Sequence, residues 1–236
     1  NGLVISNNQG RASLRMDENT GMQNNTILCM EVDKNGNLWA GTDNGIDLLF
    51  INQPVSQVRQ GKGIGAGYAA ILHKGMLYLG TVRGVFCKKW APSYNKNVPT
   101  DIRDYTLIEA TKGQVWNFKS IDGQLFCGHH NGTFLIEGKT AKQLSDFKGC
   151  WTFLHSKKQP DKIIAGTYRG LVLFEKDAAG NWSFARRIAG FDESSRVMLF
   201  DKGEGIWMTH GYKGAYHITL TENMDRVANV DFYNSR

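Results

Sequence analysis

The chain is predicted to be all-β and to fold as a β-propeller of about five full four-stranded blades plus a half blade. Two observations predict this. First, a short phrase recurs: Leu38-Trp39-Ala40-Gly41-Thr42-Asp43-Asn44-Gly45-Ile46 is its clearest copy. Looser copies centre on Gly80, Gly128 and Gly166, and a stretched one runs Ile206-Trp207-Met208-Thr209-His210-Gly211-Tyr212-Lys213-Gly214-Ala215. Each copy is an apolar strand, a tight corner ending in Gly, and a second apolar strand. Second, the corner glycines Gly45, Gly84, Gly132, Gly170 and Gly214 are spaced by 39, 48, 38 and 44 residues. Self-similarity at about 40–50 residues marks propellers and related arrays.

The elements follow in order. Asn1-Gly2-Leu3 matches Asn44-Gly45-Ile46, so the chain opens on the third strand of a blade, with Arg11 to Met16 as its fourth. Residues 1–23 are this partial blade. The next unit, 24–66, starts with an apolar strand from Thr26 to Asp33. Asp33-Lys34-Asn35-Gly36-Asn37 is a turn built of residues that tolerate positive φ. Leu38 to Thr42 is the second strand, Asp43-Asn44-Gly45 the opposite corner, and Ile46 to Ile51 the third strand. A fourth is expected near Val55 to Gln60, followed by the glycine-rich link Gly61 to Gly67. Four antiparallel strands make one blade. The same reading gives blades at 67–113, 114–148, 149–193 and 194–236, the last ending on Val227 to Tyr233. Complete rings have about four to eight blades. A half blade without its inner strands therefore predicts a single propeller domain cut from a larger, seven-bladed ring. The absence of an initiator Met or signal segment points the same way.

Composition narrows the function. The 236 residues include 27 Gly and 4 Pro, with no apolar run long enough to span a membrane and no extended helical periodicity. The net charge of +6 favours an anionic partner, yet the basic residues are scattered rather than blocked as in nucleic-acid binders. Cys29, Cys87, Cys127 and Cys150 lie in apolar runs without metal-like spacing and read as buried free thiols.

Antiparallel up-and-down connectivity places the corner after strand two on the same face as the entry into strand one. Two sets of residues should therefore converge. The corners supply Arg83, His130, Tyr168, Arg169, Tyr212 and Lys213, and the strand entries supply Tyr68, Trp116, Trp151 and Arg196. Aromatic faces suit the C–H faces of sugars, and guanidinium forks pair with carboxylate or sulfate. These ten residues form the candidate ligand site, which would suit an acidic or sulfated oligosaccharide. Trp116 and Trp151 read equally well as core. The column Trp39, Tyr78, Phe126, Ile164 and Trp207 reads as blade-to-blade core.

Catalytic and metal signals are weak. Gly61 to Gly67 lacks the context of a phosphate loop, and no nucleophile elbow occurs. Cys127-Gly128-His129-His130 is better explained by His129 standing where other corners carry Thr42, Thr81 and Thr167, hydrogen-bonded to a neighbouring blade. No cofactor and no metal are expected.

The stretch Thr20 to Ile46, with Gly21-Met22-Gln23-Asn24-Asn25-Thr26 and then Asp33-Lys34-Asn35-Gly36-Asn37-Leu38-Trp39-Ala40-Gly41-Thr42, resembles the two-component regulator propeller repeat. The later copies keep the G-[TH]-x-x-G frame, while the last puts Thr209 where Gly is expected. The resemblance implies a periplasmic ligand-binding module of a bacterial hybrid two-component sensor or related membrane-linked regulator. Such receptors are common in Bacteroides-type bacteria that sense polysaccharide breakdown products. It implies no catalysis and no nucleic-acid binding by this segment, and membrane attachment only through the parent protein. The alternatives are a propeller lyase or glycosidase, or a protein-interaction scaffold, including a homodimer.

Overall fold

The computed structural model describes residues 2–6, 8–51, 63–90 and 105–234. These form 21 strands and two single turns of 3-10 helix, grouped in two compact units.

The first unit comprises the described residues up to 51. Strands β1 (Leu3–Ser6) and β2 (Ala12–Met16) pair as an antiparallel ribbon. β3 (Ile27–Val32), β4 (Leu38–Thr42) and β5 (Gly45–Leu49) form a three-stranded antiparallel sheet. The expected fourth strand at Val55 to Gln60 lies outside the described residues, as do Gly61 and Lys62 of the link. The Asp33 side chain fixes the first turn by accepting from the N–H groups of Asn35 and Asn37 at 2.8 and 2.9 Å. The core of this unit is Leu3, Met22, Leu38, Ala40 and Leu49. Cys29 corrects the expectation of buried thiols, because it is exposed. Its apolar surroundings suggested burial, but the unit packs β4 and β5 inward and leaves Leu28, Met30 and Val32 on β3 exposed as well.

The second unit is four successive four-stranded antiparallel blades, each with its strands paired in chain order. The first holds β6 (Gly67–His73), β7 (Met76–Thr81), β8 (Gly84–Lys89) and β9 (Thr106–Leu107). The second holds β10 (Val115–Ile121), β11 (Gln124–His129), β12 (Gly132–Glu137) and β13 (Thr140–Ser145). The third holds β14 (Thr152–His155), β15 (Lys162–Gly166), β16 (Leu171–Lys176) and β17 (Trp182–Ile188). The fourth holds β18 (Val197–Phe200), β19 (Ile206–His210), β20 (Gly214–Leu220) and β21 (Val227–Tyr233). The innermost strands β6, β10, β14 and β18 are neighbours in that order. This is propeller architecture.

The period of two along each strand explains the stacking. In β11, Leu125 and Cys127 face the core shared with the preceding blade, while Phe126 faces the core shared with the following one. In β15, Ile163 and Ala165 face backward and Ile164 forward. Central strands are therefore apolar on both faces, which is why they read as continuous apolar runs. Between blades the backbones come close. An ideal Cβ on Gly166 would sit 2.0 Å from the Ser195 carbonyl oxygen of the next blade. The Gly of the Gly-Thr pair is thus a spacing device.

The expected core column holds at its centre and fails at its ends. Tyr78, Phe126 and Ile164 are buried, but Trp39 is 43% and Trp207 40% exposed. Ile206 and Met208 turn inward, so the alternation sends Trp207 to the outer face of the fourth blade. There it stacks on His217 and Tyr233, with ring centroids 4.6 and 5.4 Å apart.

Candidate functional site

Strand pairing aligns the blades residue by residue. Asn117 lies opposite Gly128 and Thr152 opposite Gly166. Ala69 lies opposite Gly80, and Val197 opposite Thr209, which stands at the glycine position. The residue preceding each of these is therefore equivalent from blade to blade: Tyr68, Trp116, Trp151 and Arg196. In β6 and β10 this residue is a bulge, skipped by the ladder between Gly67 and Ala69 and between Val115 and Asn117. Bulges re-aim side chains and recur beside functional sites. Here they turn Tyr68 and Trp116 out of the sheet.

The four side chains and the layer below them line a cavity of about 270 Å³ formed by Tyr68, Trp116, Asn117, Trp151, Thr152, Arg196, Val197 and Met198. The rings touch in sequence. Tyr68 meets Trp116 edge-on at 5.3 Å, and Trp116 meets Trp151 at 4.3 Å between ring centroids. The Arg196 guanidinium lies over the Trp151 ring at 4.9 Å.

Corner residues brace this wall. Trp116 Nε1 donates to the Tyr168 hydroxyl at 3.1 Å, and that hydroxyl contacts His130 Nδ1 at 2.9 Å. The Tyr168 hydroxyl thus joins the indole of one blade to the imidazole of a corner. Burial pushes the Tyr168 phenol up from its ordinary value, and the indole bond opposes this in part. Tyr168 packs against Gly149, where an ideal Cβ would fall 2.0 Å from its ring. Trp151 Nε1 donates to Ser194 Oγ at 3.2 Å.

Of the ten expected site residues, Tyr68, Trp116, Trp151 and Arg196 line the cavity, and His130 and Tyr168 brace its wall. The other four do not reach the cavity. Arg83 donates to the Gly63 carbonyl at 2.8 Å. Arg169 is exposed on its corner, where its backbone N–H donates to Thr167 Oγ1 at 3.2 Å. Tyr212 is 99% exposed, and Lys213 pairs with Glu193 at 2.7 Å. The sequence reading missed Asn117, Thr152, Val197 and Met198. Their signal was available, since Asn117, Thr152 and Val197 each directly follow an entry residue.

His129 turns its ring toward the Thr111 and Gly113 backbone of the preceding blade. Its Nδ1 accepts from Asn131 N–H of its own corner at 2.9 Å, and Nε2 has no hydrogen-bond partner among the described residues. Burial holds its pKa below the ordinary 6.5, partly offset by the Gly113 and Thr111 backbone. Among the described residues no group of three or more His, Cys, Asp or Glu side chains could hold a metal ion. Cys127 and Cys150 are fully buried, and burial pushes the Cys150 thiol up to about 12. No described helix is long and apolar enough to cross a membrane.

Known structures share this fold. One is the extracellular domain of a protein described as a hybrid two component system of B. thetaiotaomicron. It superposes with a TM-score of 0.52 at 13% identity, covering 98% of this chain and 35% of that one. The same domain, described as a one component system, gives a TM-score of 0.50 at 14% identity over 98% of this chain and 34% of its own. The Dos1 propeller gives 0.52 at 14% identity over 88% of this chain and 61% of its own. This chain therefore spans about a third of the length of the bacterial extracellular domains it matches. No curated protein sequence matches it. Residues 21–44 match the family model described as two component regulator propeller, the stretch that carries the repeat in its clearest form.

Proposed function

We propose that this chain is the ligand-binding propeller of an extracytoplasmic bacterial sensor, and that its cavity takes an oligosaccharide. The family match over residues 21–44 and the likeness to extracellular domains of receptor-like proteins support the sensor role. One observation carries the ligand class: three successive blades place an aromatic side chain at the same inner position, and the three rings build one wall. Aromatic walls with a few polar anchors are the chemistry of a pocket for sugars, whose C–H faces lie on rings while hydroxyls meet hydrogen-bonding groups.

A thermal-shift screen of the purified chain against oligosaccharides tests this. A true ligand at about 100 times its Kd stabilises the folded state by about 2.7 kcal/mol. Trp116→Ala and Trp151→Ala are expected to weaken binding of any hit by about tenfold or more while the variants stay folded. Unchanged affinity in both would overturn the assignment of this cavity.

A further inference from the structure

We infer that the saccharide held by this cavity is acidic, with its carboxylate on Arg196 and its ring face against the Tyr68–Trp116 wall. The inference rests on the reading of the cavity as a saccharide site and adds the charge of the ligand and the residue that selects it.

The polar groups of the lining set the preference. Both indole N–H groups of the wall are already spent, on Tyr168 and Ser194. Asn117 Oδ1 accepts from Phe118 N–H at 2.8 Å, so the amide offers the cavity its NH2 donors. Arg196 offers a guanidinium, and no Asp or Glu lines the cavity. The fixed charge of the lining is thus positive and uncompensated, while the Tyr68 and Thr152 hydroxyls can donate or accept, which suits a ligand carrying a negative group.

The state of Arg196 sharpens this. Several cations of the second unit pair with carboxylates, among them Lys213 with Glu193, Arg186 with Glu175, Lys176 with Asp122 and Arg187 with Asp192. Arg196 has no carboxylate partner among the described residues and rests instead on the face of Trp151. Its position is the blade equivalent of Tyr68, Trp116 and Trp151, so a cation replaces an aromatic ring at one of four matched places. A guanidinium resting over an indole keeps N–H donors free for the bidentate pairing that suits a carboxylate. A cationic ligand would meet this positive charge at close range, with no acidic side chain in the lining to offset it. The net charge of +6 also favours approach of an anion.

The test is calorimetric titration of the purified chain with uronate-containing oligosaccharides, oligogalacturonides and alginate oligomers, each alongside its carboxyl-methylated ester. The acid is expected to bind about tenfold or more tighter than the ester, as a charge-assisted hydrogen-bond pair requires. Added salt is expected to narrow that gap. Arg196→Gln should bring the acid down to the affinity of the ester without changing the thermal midpoint, and Arg196→Lys should recover part of the difference. Equal affinity of acid and ester for the unmodified chain overturns the acidic inference and leaves the saccharide reading standing. A gap that survives in Arg196→Gln overturns the role of Arg196. Binding of neither form overturns the inference together with the reading beneath it.

Discussion

At a single corner the repeat phrase has a mechanical meaning. The hydroxyls of Thr42, Thr81 and Thr167 each donate to the carbonyl of the corner glycine three residues on, at 3.0, 3.1 and 2.9 Å. Each also accepts from the backbone N–H two residues on. His129 takes over the accepting half of this role through Nδ1, which requires a neutral ring. Burial lowers its pKa in the folded state, so the unfolded chain binds the proton more readily. His129 is therefore expected to leave stability intact above pH 6.5 and to erode it as the pH falls from 6.5 toward the depressed native value. Burial lowers His73 as well, adding a slope of the same sign. His129→Thr restores the residue type of the other corners and is expected to flatten the acid slope of the thermal midpoint in that window. A slope identical to the unmodified chain would refute the assignment. The corner glycine is as constrained. Gly132 has φ +126°, and an ideal Cβ would lie 1.9 Å from the Ser145 carbonyl oxygen. Gly132→Ala is expected to cost more than about 2 kcal/mol in urea unfolding, from backbone strain and the displaced fourth strand together.

Individual strands were largely legible, and their fine register was not. Leu38–Thr42 and Val227–Tyr233 have the predicted bounds, because Gly, Asn and Asp turns bracket apolar runs there. The bulges at Tyr68 and Trp116 were hidden, since one skipped residue leaves the composition and period of a seven-residue strand almost unchanged. The corner cations were overvalued for a related reason. Side chains as long as Lys213 find partners close to their own corner, and sequence does not show which partner is nearer than the cavity. Links between hairpins are equally hidden. Glu204, in the β18–β19 turn at φ +67°, accepts from Ser156 Oγ and Lys157 N–H at 2.6 Å and from Lys158 N–H at 2.8 Å. Burial alone would raise its pKa, but these bonds outweigh it and hold the carboxyl below its ordinary 4.5. Its contribution is present above that value and lost as the pH falls through the depressed one. Glu204→Ala removes the clasp between the third and fourth blades and is expected to cost about 1.5–3 kcal/mol at neutral pH. The loss should shrink in acid, and a loss independent of pH would show that packing rather than charge is at work.

Across the four-blade unit, stability is organised as a stack in which, among the described residues, each apolar core is shared by blades that follow one another along the chain. Three apolar cores separate the four blades, and each central blade feeds two of them through alternate residues of the same strands. Such a stack behaves as a sum of blade and interface terms. Equivalent positions should then differ in energetic weight only through their neighbours. Phe126 and Trp207 occupy the same place in strand two, yet Phe126 is fully buried between two blades and Trp207 is 40% exposed on an outer face. Phe126→Ala is expected to cost about 3–5 kcal/mol, the transfer of the ring plus the cavity it leaves. Trp207→Ala is expected to cost less than about 1.5 kcal/mol, since it gives up stacking on His217 and Tyr233 but opens no cavity. Urea midpoints at matched m-values make the comparison. The neighbouring Val197 and Leu199 are exposed on the same blade, at 54% and 66%. If Trp207→Ala proved as costly as Phe126→Ala, that face would be covered in solution. A rise of the thermal midpoint with protein concentration would then identify a second copy of the chain as the cover.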